Sequence, residues 1–313
     1  MTNSSTLIRS KNLHRLMTAW YRKHRRELQW RHTTDPYEIL VSEIMLQQTQ
    51  VNRVKEKLPV FLKRFPSLTL LAKASRADVL HAWRGMGYNN RAVRIHKLAQ
   101  IVSQEHNGKL PNNIETLLDL PGIGPYTAHA LSCFGFHRRV PVVDVNIRRV
   151  LSRMFWKMNS IEDYKPEGNI WSFAFEVLPQ NAFLWNQALM DLGATICTAR
   201  TPACPACPVQ RYCQSNDLHR KIRRTMASKK RGRPEPVYEG IPRRIWRGKI
   251  VDVLRDMNSH EKISLPALGK AIKHDFSRSE LPWLEEIVDR LSRDGLLAIR
   301  RGPAMTYVSF VRI

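Results

Sequence analysis

The sequence predicts an all-α body followed by a small C-terminal α+β module of winged-helix order. Three observations carry this. Up to about residue 216 apolar residues recur at helical spacing, with few alternating runs. Residues 220–233 then hold eight Lys or Arg and no Asp or Glu, a composition break that marks a flexible basic linker. Beyond the break, helical stretches come first and alternating segments last. With 313 residues, 43% of them hydrophobic, the chain can fill two or three packed domains.

Taken in order, the N-terminal MTNSSTLIRSK lacks the apolar stretch of a secretory signal. No apolar run approaches the roughly 20 residues of a membrane span. A soluble, intracellular protein is expected. Residues 36–51 (PYEILVSEIMLQQTQV) read as a helix, and in 141–155 Ile147, Val150, Leu151 and Met154 form one apolar stripe. Pro and Gly punctuate the chain at Pro66, Gly85, Gly87, Pro111, Pro121–Pro125 and Pro179. No solenoid-type repeat is found. The linker spans 217–242 and contains Arg231-Gly232-Arg233-Pro234, either solvated linker or the core of an A·T minor-groove hook. The module at 243–313 offers helices at Ile245–Met257, Leu265–Lys273 and Leu281–Asp294. Alternating segments Leu296–Arg301 and Met305–Val311 follow, joined at Gly302-Pro303.

The formal net charge of +24 favours polyanions, because each neutralised phosphate releases counterions. Solubility alone is the other reading, and charge does not establish an enzyme. Cys197, Cys204, Cys207 and Cys213 form C-x6-C-x2-C-x5-C, a grouping that in a protein expected to be intracellular points to a metal centre rather than disulfides. Zinc is the generic occupant of such a thiolate set. Cys133 stands apart and reads as a buried helix residue. Leu120-Pro121-Gly122-Ile123-Gly124 lies between helical runs, with Pro125 suited to a first helical turn. Gly122 and Gly124 would let the backbone approach a phosphate. Asp144, in Val143-Asp144-Val145-Asn146, precedes a helix and reads first as an N-cap.

The order LPGIGPYTA, then Val143-Asp144, then the four cysteines resembles the helix-hairpin-helix (HhH-GPD) DNA glycosylase superfamily over about residues 12–213. The resemblance implies an all-α, two-lobed enzyme with DNA held across a cleft. Residues 1–30 and 136–216 would form an iron–sulfur lobe, and 31–135 a six-helix lobe with the hairpin. The cysteine spacing then implies a [4Fe–4S] cluster that organises a DNA-facing loop around Arg200 and Arg211. A monovalent cation at the hairpin is also allowed. In the superfamily, the aspartate matching Asp144 stabilises the sugar cation left when a base departs. Strand-cutting members carry a lysine where this chain has Tyr126, so base removal without efficient lyase activity is expected.

Ser42-Glu43-Ile44-Met45-Leu46-Gln47-Gln48-Thr49-Gln50 is similar to the adenine-directed, MutY-like branch. Glu43 stands at i+4 from Ile39 and i−3 from Leu46, toward the apolar side of its helix. Burial there would favour the neutral acid, fit to give a proton to the adenine ring; a salt-bridged helix glutamate is the plainer reading. The resemblance extends to Trp30-Arg31 at a base pocket, to Gly87-Tyr88 in a loop that wedges the duplex, and to Asn146 beside Asp144. Thymine/uracil glycosylases of G·T and G·U mismatches share the tyrosine, aspartate and cluster, and form the alternative. Val51, Gln187 and the Gln47-Gln48 pair favour adenine, Gln187 offering a donor and an acceptor to a flipped base. A non-catalytic damage sensor on the same scaffold is the remaining alternative. Double-stranded DNA with a mismatched or damaged pair is the expected partner, the protein a monomer of the cytoplasm and nucleoid with no membrane partner. The branch normally ends in a NUDIX-like reader of 8-oxoguanine; residues 237–313 read as too short and too helical for one, and Tyr88 is followed by Asn89-Asn90 instead of a second aromatic.

Overall fold

The structure, a computed structural model, describes residues 4–156, 167–216, 235–257, 261–303 and 305–310. It is predominantly helical, and the chain divides into two compact units. The first comprises residues 1–40, 112–119 and 123–230. Here α1 (Ser4–His24) packs on α11 (Ala182–Thr195), and α11 on α9 (Val145–Phe155). The contact is made by residues three and four apart. Leu13, Met17 and Tyr21 of α1, Trp185, Ala188, Leu189 and Leu192 of α11, and the expected stripe Ile147, Val150, Leu151 and Met154 of α9 are all buried. Helices α7 (Ile114–Asp119), α8 (Pro125–Ala130) and α10 (Glu167–Glu176) also belong to this unit.

Helix α2 (Pro36–Leu46) leads into the second unit, residues 41–111, 120–122 and 231–313. There α3 (Val51–Arg64), α4 (Leu68–Lys73), α5 (Arg76–Ala82) and α6 (Asn90–Glu105) bury Leu71, Leu80, Trp83, Ile95 and Leu98. Ser67 and Ser75 cap α4 and α5 by accepting from Leu70 N–H and Asp78 N–H. The helix expected over 36–51 is in fact two, broken at 47–50, for a reason given below.

The C-terminal module belongs to this second unit. Its helices are α12 (Arg243–Asp256), α13 (Leu265–Ile272) and α14 (Leu281–Arg293), close to the expected spans. Strands β4 (Leu297–Arg301) and β5 (Thr306–Phe310) form the expected hairpin, with Ile299 opposite Val308. Two features correct the sequence reading. A third strand, β3 (Ile263–Ser264), pairs with β5 to give the sheet order β3-β5-β4. Two residues are too few to show alternation. The end of the expected linker is also structured: β1 (Val237–Tyr238) and β2 (Ile241–Pro242) pair across Glu239-Gly240, both at positive φ. Tyr238 stacks on Trp283 at 4.1 Å and lends its hydroxyl to Glu280, which anchors the hairpin. The Arg-Gly-Arg-Pro segment at 231–234 lies outside the described residues.

Candidate active site and cluster loop

Glu43 sits on α2 among Ile39, Leu40, Ile44 and Met45, and is only 6% exposed. Its carboxyl is thereby withdrawn from bulk water onto an apolar helix face. The helix ends three residues later because Arg91 takes its terminal carbonyls. The buried Arg91 guanidinium donates to the carbonyls of Ile44 (2.8 Å), Met45 (2.9 Å) and Gln47 (2.5 Å). It also donates to Thr49 Oγ1 (2.9 Å) and to the carbonyls of Met86 (3.1 Å) and Gly87 (3.3 Å). Desolvation pulls its pKa down to about 10, still far above neutrality. Gln47 and Gln48 therefore lie in a turn, Gln48 exposed at φ +55°, and Val51 opens α3 half-buried.

The same guanidinium holds the Gly85–Tyr88 loop. Gly85, Gly87 and Tyr88 all have positive φ, and Trp83 Nε1 donates to the Gly87 carbonyl at 3.1 Å. Tyr88 projects outward, 53% exposed, with Arg91 5.4 Å from its ring centre. A bulky residue kept exposed and in a left-handed backbone is costly unless its surroundings impose it.

In the hairpin, Gly122 has φ +92°, and a Cβ there would come within 3.2 Å of Arg94 Cβ, so glycine is required. Gly124 caps α8, Pro125 occupies its first turn and Tyr126 follows, half-buried. The helix runs on as a π turn, Leu131–Gly135, around Cys133. Cys133 is buried, accepts from Asn186 Nδ2 at 3.3 Å, and burial pushes its thiol up to about 11. It is a core residue. Asp144 is an N-cap, as the plain reading held: Oδ1 accepts from Ile147 N–H at 2.6 Å. Its second oxygen accepts from Asn146 Nδ2 at 2.8 Å, so both oxygens are oriented at the positive end of α9.

Trp30 and Arg31 lie on a single 3-10 turn, Gln29–Arg31. The Arg31 guanidinium is engaged by Asp191, with both nitrogens 2.8 Å from its two oxygens. Arg26 closes the arrangement at 2.6 Å. Gln187, on α11 and 5% exposed, has a buried Oε1 without a hydrogen-bond partner among the described residues. Such an orphan acceptor is rare in a folded interior and suits a ligand's donor.

The four cysteines line one small cavity with Arg153 and Ile196. Burial pushes the Cys207 thiol up to about 12 and Cys213 to about 11, so they become ligands only where a cationic centre takes up the thiolate charge. Four thiols lining one cavity are the donor set of a thiolate-held metal centre. Two buried arginines of α9 brace the loop. Arg149 donates to the carbonyls of Cys197 (2.9 Å) and Gly193 (2.8 Å), and Arg153 to those of Thr198 (2.7 Å) and Ala199 (2.9 Å). Arg200 and Arg211 are exposed.

Residues 41–170 match the HhH-GPD superfamily of base excision DNA repair proteins, and residues 197–213 match the iron-sulfur binding domain of endonuclease III. An adenine DNA glycosylase of Mycobacterium tuberculosis is 41% identical over 241 residues, covering 76% of this chain and 77% of the relative. The chain belongs to the adenine DNA glycosylase family. A relative of the same name from Mycolicibacterium smegmatis is 38% identical, covering 77% of this chain and 79% of its own length. The solved structure of a thermostable thymine-DNA glycosylase superposes with a TM-score of 0.63 at 29% identity, over 68% of this chain and 99% of its own.

In this adenine DNA glycosylase family member the cysteine cavity is the place of a [4Fe–4S] cluster, held by Cys197, Cys204, Cys207 and Cys213. Asp144 with Asn146, and Gln47 with Gln48, are brought together locally. The sequence reading missed Arg91, Arg149, Arg153 and Asp191. Arg149 and Arg153 had a signal: they interleave with the apolar stripe of α9, where a solvated arginine is out of place.

Proposed function

We propose that the chain is a monofunctional DNA glycosylase that hydrolyses the N-glycosidic bond of adenine mispaired with guanine or 8-oxoguanine. The observation that carries the chemistry is the burial of Glu43 on an apolar helix face, and the family relationship supplies the base. The target nucleotide leaves the stack and is read outside it. Glu43 gives its proton to N7 of adenine, so the bond between C1′ and N9 breaks with the electron pair leaving on neutral adenine. Asp144, oriented by Ile147 N–H and Asn146, stabilises the oxocarbenium-like sugar. Water adds to C1′ and loses a proton, leaving an abasic site. Tyr126 offers no amine for a Schiff base, so the strand stays intact. Gln187, Gln47, Gln48, Val51, Trp30 and Arg31 are assigned to recognition of the base, Tyr88 to opening the duplex, and Gly122 and Gly124 to the phosphate backbone. Cys197, Cys204, Cys207 and Cys213 would hold the cluster, and their thiolate bonds to it would tie the 197–213 loop together. Among the described residues no helix is long and apolar enough to cross a membrane, and we place the enzyme on chromosomal DNA in the cytoplasm.

The test is single-turnover base release from duplexes carrying A·8-oxoguanine, A·G, T·G and U·G pairs. Adenine should be released, with strand cleavage appearing only after alkali, and Asp144→Asn should lower the rate by about 10²–10³ while sparing DNA binding. Faster release of thymine or uracil would move the chain to the other branch. Binding without release of any base would make it a sensor.

A further inference from the structure

The chemistry above uses nothing of the C-terminal module, yet the module forms a basic groove with the loop that carries Tyr88. The groove has a volume of about 660 Å³ and runs between residues 85–90 and the faces of α12 and α14. Its two walls are fastened to each other. Arg84 reaches Asp256 at 3.1 Å, and Arg76 Nη1 donates to the Gly295 carbonyl at 3.0 Å.

Six cations line it, Arg243, Arg244, Arg247, Lys249, Arg255 and Arg290, against three carboxylates, Glu235, Asp252 and Asp294. Adding Glu286, which Arg243 and Arg290 share, still leaves cations in excess. Several of these pairs lie in water, with Arg244 61% and Arg290 47% exposed. Exposed pairs are weak, so a phosphate can displace a carboxylate and take two charge-assisted hydrogen bonds from the same guanidinium. Arg244, Arg247, Gly248, Val251 and Arg255 follow one another at helical spacing on one face of α12. Val251 and Arg255 are buried at the groove floor, so the open part of that face runs from 244 to 248, about 6 Å, the rise of roughly two nucleotides of one DNA strand. A Cβ on Gly248 would meet nothing within 4 Å, so a backbone can approach the helix closely there.

We propose that this groove binds the sugar–phosphate backbone of duplex DNA, extending the grip of the protein beyond the base pair it attacks. The proposal rests on the reading that the chain acts on DNA, but its test does not depend on base release. The full chain is titrated with an undamaged 25-base-pair duplex, followed by fluorescence anisotropy at several salt concentrations. Removing two phosphate contacts in Arg244→Gln/Arg290→Gln should flatten the slope of log affinity against log salt by about 1.8 and weaken binding about tenfold at 0.15 M salt. Lys23→Gln/Arg25→Gln, the same charge loss on exposed residues of the other unit, should change binding less than twofold. Gly248→Glu, which sets a carboxylate in open space, should reproduce the groove defect with an unchanged unfolding temperature. Groove variants that bind like the Lys23/Arg25 control would overturn the proposal. A wild type that binds duplex and releases no base would instead sink the functional reading and leave this test standing.

Discussion

Asp191 is fully buried and receives two arginines, Arg31 with 7% of its side chain exposed and Arg26 with 32%. Burial alone would raise its pKa, but hydrogen bonds and charge from Arg31, then Arg26, outweigh that and hold the carboxyl below its usual range. A depressed folded pKa means the stabilisation is complete above about pH 4 and is lost as pH falls through the folded value. Asp191→Asn should therefore destabilise the protein by about 3–5 kcal/mol at pH 7, since it leaves buried guanidinium without its anion. The deficit, measured by urea unfolding, should shrink below pH 4, where the wild type loses the same charge; a deficit constant from pH 7 to pH 3 would refute the account. Arg31 was legible as a residue of interest, but its partner was not, because 160 residues separate the two and nothing local to either encodes the pair.

At the scale of elements, the break after α2 shows where periodicity stops being informative. The apolar pattern of 36–51 permits one continuous helix. What ends it is a distant donor, Arg91, that satisfies three consecutive-turn carbonyls at once and ties them to the Gly85–Tyr88 loop. A lysine has the charge but one nitrogen and three donors, too few for this set of acceptors. Arg91→Met should cost about 3 kcal/mol or more through unsatisfied buried carbonyls, and Arg91→Lys should recover less than half of it. Equal stability of the lysine variant and wild type by chemical denaturation would mean that charge, and not the fork of donors, holds the turn. By contrast the hairpin at 120–124, the N-cap at Asp144 and the helices of the C-terminal module were readable, because their signals (Gly and Pro at turns, capping oxygens, stripes at helical spacing) are local.

Across the whole molecule, the net charge of +24 named a polyanion partner without locating it, and the four cysteines named a cofactor without showing what it braces. The structure joins the second of these to the carboxylate proposed for the chemistry through one helix. Asp144 caps the beginning of α9, while Arg149 and Arg153 further along the same helix hold the carbonyls of Cys197, Thr198 and Ala199. In return, Gln214 and Ser215 N–H groups donate to the Met154 and Arg153 carbonyls at 3.0 and 3.2 Å, so the loop also caps the end of α9. Loss of the cluster should then propagate along α9 rather than stay in the loop. In Cys204→Ser, iron content and visible absorbance should fall, and amide exchange should quicken in 197–216 and in the last two turns of α9. Base release should drop at least tenfold as the carboxylate of Asp144 loses its fixed orientation, a loss of about 1.4 kcal/mol in transition-state stabilisation. Exchange that quickens in the loop alone, with α9 protected and base release intact, would show that the cluster braces only its own loop and that the arginines of α9 serve packing.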